Sequence, residues 1–202
     1  MRKAILVLFV LSLTMFSAQE VSDYRVNSLV SEVKKDSPID ASDSNAWDLL
    51  EQVYQVTLQQ DQGDLEKTDF VKKLNTFLDN QKSKNKYLTI LHLYYNEMFR
   101  KEISSENPDY NFLVDLVIAM KNEYHFVYKK EPVMITILHA EMLQSAGKKD
   151  ESKEVVAKGF KAHPESIPLQ VYTAINTNND KLKAELVKNH PNHWMVIQFL
   201  KN

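Results

Sequence analysis

Apolar residues recur along most of the chain at spacings of three and four, the period of an amphipathic α-helix. In the stretch 46–60 the residues that fall on one face are Trp47, Leu50, Val53, Tyr54 and Leu58. The pattern breaks after residue 58, resumes over 65–81, and is apolar nearly all round over 86–102. The last stretch is typical of a central helix that packs on several sides. No strand pattern competes, so the sequence predicts an all-α protein.

Turn and capping residues divide the second half of the chain. Asn107 is suited to cap a helix that starts at Pro108, and Glu131 with Pro132 marks another start. Further helices are predicted at 150–163, 167–177, 180–189 and 192–200. Since helices joined by short connections pack as antiparallel neighbours, we expect helix pairs stacked as a short solenoid or as an irregular bundle.

One stretch carries the pattern of a repeat. Over residues 133–166, small, apolar and helix-ending residues stand at Ala140, Leu143, Gly147, Ser152, Val156, Gly159 and Pro164. In these positions the stretch resembles the tetratricopeptide repeat, a helix–turn–helix unit of roughly 34 residues. It departs from the family at Thr136 and His139, where large apolar residues are preferred, at Ser152, where the family has alanine, and at Val156, where it has an aromatic residue. A shortened second unit follows, with Ala174 one period after Ala140, so the repeat-like part is 131–202.

The resemblance implies a concave groove for a protein or peptide, lined by the first helix of each pair. Carried onto 133–166, the family's groove positions are Met134, Ile137, Glu141, Gln144 and Ser145. Glu141 and Gln144 are polar enough to hydrogen-bond a peptide, and Asn178 is the matching position of the second unit. These three are the predicted partner-binding residues, with ordinary solvated polar side chains as the alternative.

The amino terminus predicts export. Arg2 and Lys3 precede an uncharged, mostly apolar run over 4–16, and Ser17 and Ala18 follow it, which is the layout of a secretory signal peptide. The run is shorter than the ~20 residues that span a bilayer core. We therefore expect a signal peptide over 1–18, a polar segment and linker over 19–45, and one helical domain over 46–202. The mature protein would be periplasmic or secreted, with no membrane span.

Composition excludes several kinds of chemistry. The chain has 25 basic and 27 acidic residues, so it lacks the positive charge of a nucleic-acid binder. It has no cysteine, which excludes disulfides, thiol catalysis and thiolate metal sites. The motifs G-x-S-x-G and G-x-x-x-x-G-K-[ST] do not occur. We predict no cofactor and no enzymatic activity.

The histidines give the alternative to a scaffold. His139 and Glu141 form H-x-E, but the C-x-x-C that zinc deaminases also need is missing, and His139 falls at a helix core position. His190 and His193 are three residues apart and could share a helix face. Two ligands do not complete a zinc site, so capping of a helix by these histidines is the simpler interpretation. The alternative function is an envelope metal-binding protein or hydrolase that uses this pair.

Overall fold

The structure, a computed structural model, describes residues 24–61 and 63–201. Over these ranges the regular secondary structure is helical and contains no strand, which confirms the all-α prediction. The helices are α1 (24–34), α2 (Asn45–Tyr54), α3 (Phe70–Asp79), α4 (Lys86–Ile103), α5 (Tyr110–Tyr128), α6 (Val133–Ser145), α7 (Lys149–Ala162), α8 (Ile167–Asn176), α9 (Asp180–Asn189) and α10 (Trp194–Leu200). The predicted signal peptide, residues 1–18, lies outside the described residues.

Two shorter helical turns connect the first elements. A π-helical turn, Gln55–Gln59, continues α2, and a 3-10 turn, Leu65–Lys67, precedes α3. Within the described ranges, none of the helices combines the length and the apolar character that a bilayer crossing requires.

The helices stack in chain order. Each helix from α4 to α9 packs against the next, and α10 folds back onto both α8 and α9. Helix α2 lies across the stack and contacts α3, α4 and α6, while the π-helical turn contacts α8. This arrangement agrees with the stacked helix pairs expected from the short connections.

Most of the buried side chains form one core that extends from α1 to α6. Its fully buried members include Tyr87, Leu88, Leu91, Leu113, Leu116 and Met120. A second cluster joins α8, α9 and α10 through Val171, Ala174, Leu186, Met195 and Val196. The apolar faces recognised in the sequence therefore point inward, and their burial supplies the main free energy of folding.

The segment before α2, expected to be a polar segment and linker, is folded onto the main core. Val26 of α1 is 3% exposed, and the Lys34 ammonium donates to the Glu123 carboxylate of α5 at 2.6 Å. The loop after α1 is held by Asn85, whose side chain donates to the carbonyl oxygen of Asp40 at 2.7 Å. The structure thus places residues 24–45 in the same packed unit as the helices that follow.

The start of α5 differs from the expected one. The helix begins at Tyr110, and its cap is Asp109, whose carboxylate accepts from the Phe112 N–H at 3.0 Å. Asn107 and Pro108 lie before the cap, so the prediction of an Asn107 cap was wrong. A carboxylate at the N-cap binds an orphan N–H and also faces the positive end of the helix dipole, which makes Asp109 the better cap.

Small residues bring α6 and α7 close together, as the repeat-like pattern implies. The Ser152 hydroxyl donates to the Ala140 carbonyl oxygen at 2.7 Å, and both residues are buried. A Cβ atom added at Gly159 would lie 2.7 Å from Thr136 Cγ2. Gly147 lies in the turn between α6 and α7 and has a φ of +77°, a conformation that favours glycine. The packing explains why small residues stand at these positions.

Candidate functional site

A groove opens on the stack where alternate helices meet. Its cavity volume is about 470 Å³, and the residues that line it include Phe99 of α4, Glu141, Gln144 and Ser145 of α6, Tyr172, Ile175 and Asn176 of α8, and Phe199 of α10. We call this cavity the open groove. Three predicted groove positions, Glu141, Gln144 and Ser145, therefore lie together on it. The helices that supply most of its lining are the first members of successive pairs.

Glu141 forms the polar floor of the open groove. It is largely buried, and its carboxylate accepts a hydrogen bond from the Tyr172 hydroxyl at 2.5 Å. Burial raises the pKa of Glu141, and the bond from Tyr172 opposes that rise. Burial and the nearby charge of Glu141 also raise the pKa of Tyr95 on α4. A carboxylate accepts several hydrogen bonds, so Glu141 retains capacity for a donor on a ligand.

Apolar side chains form the sides of the open groove. Phe199 is 41% exposed and Ile175 is 39% exposed, while Phe99 stacks on Tyr95 with ring centroids 6.1 Å apart. Gln144 and Ser145 are exposed on the last turn of α6. A buried carboxylate at the floor, between exposed apolar side chains, suits a ligand with a hydrogen-bond donor flanked by apolar groups.

Asn178, the third predicted partner-binding residue, is not on the open groove. It lies in the turn between α8 and α9, exposed and with a φ of +48°. Its structural counterpart is Gly147, which occupies the turn between α6 and α7 with positive φ. The sequence period of 34 aligns Asn178 with Gln144, but α8 has 10 residues where α6 has 13. The missing turn moves Asn178 off the helix.

Another part of the chain covers the predicted groove positions at the start of α6. Residues Tyr54–Gln59, which we call the covering segment, lie over the first turns of α6 and α8. Tyr54 packs with Val133, Ile137 and Leu169, and Ile137 is only 1% exposed. Ile137 was expected to line an accessible groove. The covering segment buries it instead, and Met134 packs in the same cluster.

Hydrogen bonds fix the covering segment to the starts of α8 and α10. The Gln59 side chain accepts from the Ile167 N–H at 3.0 Å and donates to the Glu165 carbonyl oxygen at 3.1 Å. The Tyr54 hydroxyl lies 2.9 Å from Ser166 Oγ. The Trp194 indole N–H donates to the Thr57 carbonyl oxygen at 3.2 Å. These contacts satisfy backbone groups at helix ends that would otherwise lack partners.

One member of the histidine pair, His193, takes part in this attachment. His193 caps α10, with Nδ1 accepting from the Met195 N–H at 3.3 Å and Nε2 lying 2.8 Å from the Leu58 carbonyl oxygen. The Nδ1 acceptor requires Nε2 to carry the proton and to donate to Leu58. His190 ends α9 as its C-cap. The two residues therefore flank a turn and do not share a helix face, and both ring nitrogens of His193 bind backbone.

The same turn occurs twice. Ser166 caps α8 three residues after His163, as His193 caps α10 three residues after His190, and both caps accept from a helix N–H. The N–H of each cap also donates to the carbonyl oxygen of the preceding histidine, at 3.1 Å and 3.2 Å. The sequence His-Pro occurs at 163–164 and again 27 residues later at 190–191, and this recurrence reflects a repeated connection between helix pairs.

His139 lies on α6 but not in the open groove. It is partly buried, and burial lowers its pKa to about 4. Residues two apart on a helix face different directions, so His139 and Glu141 do not act as one H-x-E site. In the described part of the chain, no group of three or more His, Asp or Glu residues is placed to hold a metal ion.

Sequence reasoning missed the aromatic contributors from α8 and α10. Phe199 reads as an ordinary member of an apolar face. Phe99 belongs to an aromatic stripe with Tyr87, Tyr94 and Tyr95, for which the sequence allows either a groove lining or a place in the core. Tyr172 could have been found if the second unit had been aligned on its turn, with Asn178 matched to Gly147. Tyr172 then takes the position of Glu141. The covering segment carried no signal of its own, because an apolar face does not reveal which neighbour it meets.

The chain matches no family model, and comparisons with curated proteins and with solved structures likewise gave no match.

Proposed function

We propose that this chain is a non-enzymatic helical scaffold that binds a short peptide segment of a partner protein in the open groove. The observation that carries the proposal is the convergence of α4, α6, α8 and α10 on one cavity with Glu141 at its floor. In the tetratricopeptide repeats that residues 133–166 resemble, the first helices of successive pairs form the partner surface. The resemblance and the geometry select the same side of α6.

The chemistry of the open groove defines the peptide. A largely buried carboxylate is best matched by a cationic side chain, since attraction between opposite charges is strong where water is excluded. Phe99 presents an aromatic ring to the same region, and such rings also attract cations. The apolar side chains Ile175 and Phe199 suit apolar neighbours in the ligand. The proposed ligand is a peptide with one lysine or arginine flanked by apolar residues.

The covering segment limits the length of this peptide. It packs on Met134 and Ile137, so the ligand is confined to the part of α6 near Glu141, Gln144 and Ser145. A cavity of about 470 Å³ lies in the range of small-ligand sites. The protein is thus proposed to recognise a short motif and not a long helix or an extended chain.

The site of action is proposed to be the cell envelope or the exterior, on the basis of the predicted signal peptide. Mass spectrometry of the protein purified from its native cells would identify the amino terminus. A mature chain that starts at Gln19 is expected, and a chain that retains residues 1–18 would contradict export by cleavage.

Selection from a random peptide library on the immobilised protein tests the binding proposal. Enriched peptides should carry a basic residue next to apolar ones, and their affinities are then compared among variants. Gln144→Lys places a positive charge on the open groove and should weaken binding at least tenfold. Gln81→Lys, the same change at an exposed position outside the groove, is the matched control and should bind as wild type does.

Glu141→Lys is less suitable for this test. Because the carboxylate is largely buried and bonded to Tyr172, a lysine there would destabilise the fold as well as the site. Glu141→Gln keeps the size and removes the charge, so it should reduce affinity for the basic peptide while the protein stays folded. Unchanged affinity in both Gln144→Lys and Glu141→Gln would overturn the proposal.

A further inference from the structure

A second cavity lies on a different face of α6. Its volume is about 720 Å³. Residues of α5 and α7 form two walls, and Trp47 of α2 with Thr136 and His139 of α6 complete the lining. We call it the basic cleft. It shares no described lining residue with the open groove. A ligand here would therefore contact a different set of residues from the proposed peptide.

The basic cleft concentrates positive charge in a chain whose net charge is −2. Among the described residues, its charged side chains are Lys121, Lys129, Lys130 and Lys158, with Glu131 as the carboxylate, and its histidines are His125, His139 and His163. The lysines come from both walls and from the end of α5. Like charges gathered in a cavity repel one another, and an anionic ligand would relieve that repulsion.

The lysines of the basic cleft keep most of their charge available. Lys121 lies 3.5 Å from Glu131, and Lys158 lies 3.6 Å from Glu154, a residue outside the lining. Both pairs are solvent-exposed to a degree at which ion pairs contribute little. The Lys130 ammonium sits 4.2 Å from the centre of the Trp47 ring, a contact that holds the cation in place without neutralising it.

His139 is positioned between the walls of the basic cleft. Its ring forms no side-chain hydrogen bond with any described residue, although it is partly buried. Burial lowers the pKa of His139, and the positive charges of Lys121 and Lys148 lower it further. A partly buried imidazole without a partner offers a ring N–H to an acceptor that enters the cleft.

We propose that the basic cleft binds a small anion that carries two or more phosphate groups. Lys121 and Lys158 supply positive charges from the two opposite walls, and His139 donates a hydrogen bond at the floor. Lysine binds phosphate as a point charge, and the cavity volume lies in the range of small-molecule sites. An anion with a single charge would pair with one lysine, whereas two phosphate groups carry enough negative charge to pair with a lysine of each wall.

Calorimetry with sodium tripolyphosphate, at ionic strength held constant with sodium chloride, tests this assignment. The wild-type protein should bind one equivalent, and Lys121→Gln with Lys158→Gln should reduce the affinity at least tenfold. Lys153→Gln with Lys181→Gln removes the same net charge from exposed positions outside the cleft and should change affinity less than twofold. Equal losses in both double variants would overturn the site, as would the absence of binding to wild type.

A second measurement uses His139 as a reporter. Its ring signals are followed by NMR against pH with saturating tripolyphosphate and with sodium chloride alone. A bound phosphate beside the ring should raise the pKa of His139 by about one unit, while His190, outside the cleft, should not respond. If Lys121→Gln fails to fold, Lys158→Gln alone still tests the charge. An unchanged pKa of His139 would contradict the proposal.

Discussion

The Tyr172 hydroxyl donates a 2.5 Å hydrogen bond to the Glu141 carboxylate, and this bond joins α8 to α6 across the floor of the open groove. It therefore has two consequences. It orients the carboxylate toward the cavity, and it compensates part of the cost of burying a charge. Stability and ligand recognition are linked at this one contact.

Tyr172→Phe should destabilise the protein by about 1–3 kcal/mol, because it leaves a largely buried carboxylate without its donor. Urea denaturation followed by circular dichroism measures the change. Glu141→Gln should cost less, since the amide oxygen still accepts from Tyr172. Tyr24→Phe, at a residue 75% exposed, serves as the control and should be neutral. A Tyr172→Phe protein as stable as wild type would show that the bond has no net effect.

Gly159→Ala should destabilise the α6–α7 pair even though alanine is the better helix former. The helix propensity of alanine favours the change by about 1 kcal/mol, but its Cβ would stand 2.7 Å from Thr136 Cγ2. Overpacking of this kind typically costs about 1–3 kcal/mol. Thr136→Ser removes the opposing methyl, so the double variant should recover stability in thermal melts. Failure of Thr136→Ser to rescue Gly159→Ala would contradict the close approach.

The stability of the protein should fall at acidic pH through His92. Burial lowers the pKa of His92 to about 4 from an ordinary value of 6.5. Between these values the unfolded chain binds more protons than the folded one, so the free energy of unfolding decreases as pH falls from 6.5 to 4. At 1.36 kcal/mol per pKa unit the full loss is about 3 kcal/mol.

The comparison of wild type with His92→Phe at pH 7.5 and pH 4.5 isolates this contribution. His139 titrates in a similar range, but it is present in both proteins and cancels in the difference. We expect wild type to lose about 2–3 kcal/mol more than the variant. An equal loss in the two proteins would mean that His92 does not stay neutral in the fold.

The covering segment should open when Gln59 is removed. Gln59→Ala breaks its bonds to Ile167 and Glu165, which we expect to be worth about 1.4 kcal/mol together. Hydrogen exchange of residues 55–61 should then become roughly tenfold faster, while exchange in α5 stays unchanged. Gln60→Ala alters the adjacent exposed residue and is the control. Unchanged exchange in Gln59→Ala would show that the apolar contacts of Tyr54 hold the segment alone.

The helical period sufficed to predict the fold class and most helix bounds, because burial of one apolar face dominates helix formation. The choice of Glu141 and Gln144 came from the resemblance to the tetratricopeptide repeat, and their role in binding a partner stays a prediction. Asn178 was misplaced because the sequence period of 34 does not show that α8 lost a turn. Residues 24–34 and the covering segment were missed since weak amphipathic patterns do not identify the surface that they meet.

Photo-crosslinking from Ser145 tests whether a peptide binds in the open groove. Ser145 is exposed at the rim of the open groove, and a photo-reactive side chain there should join covalently to a peptide selected on the protein. The same group at Lys181, an exposed residue of α9, should give no adduct. Mass spectrometry of the adducts decides the outcome. Crosslinking from Ser145 alone is the predicted result, and equal yields from both positions, or a yield only from Lys181, would contradict binding in the open groove.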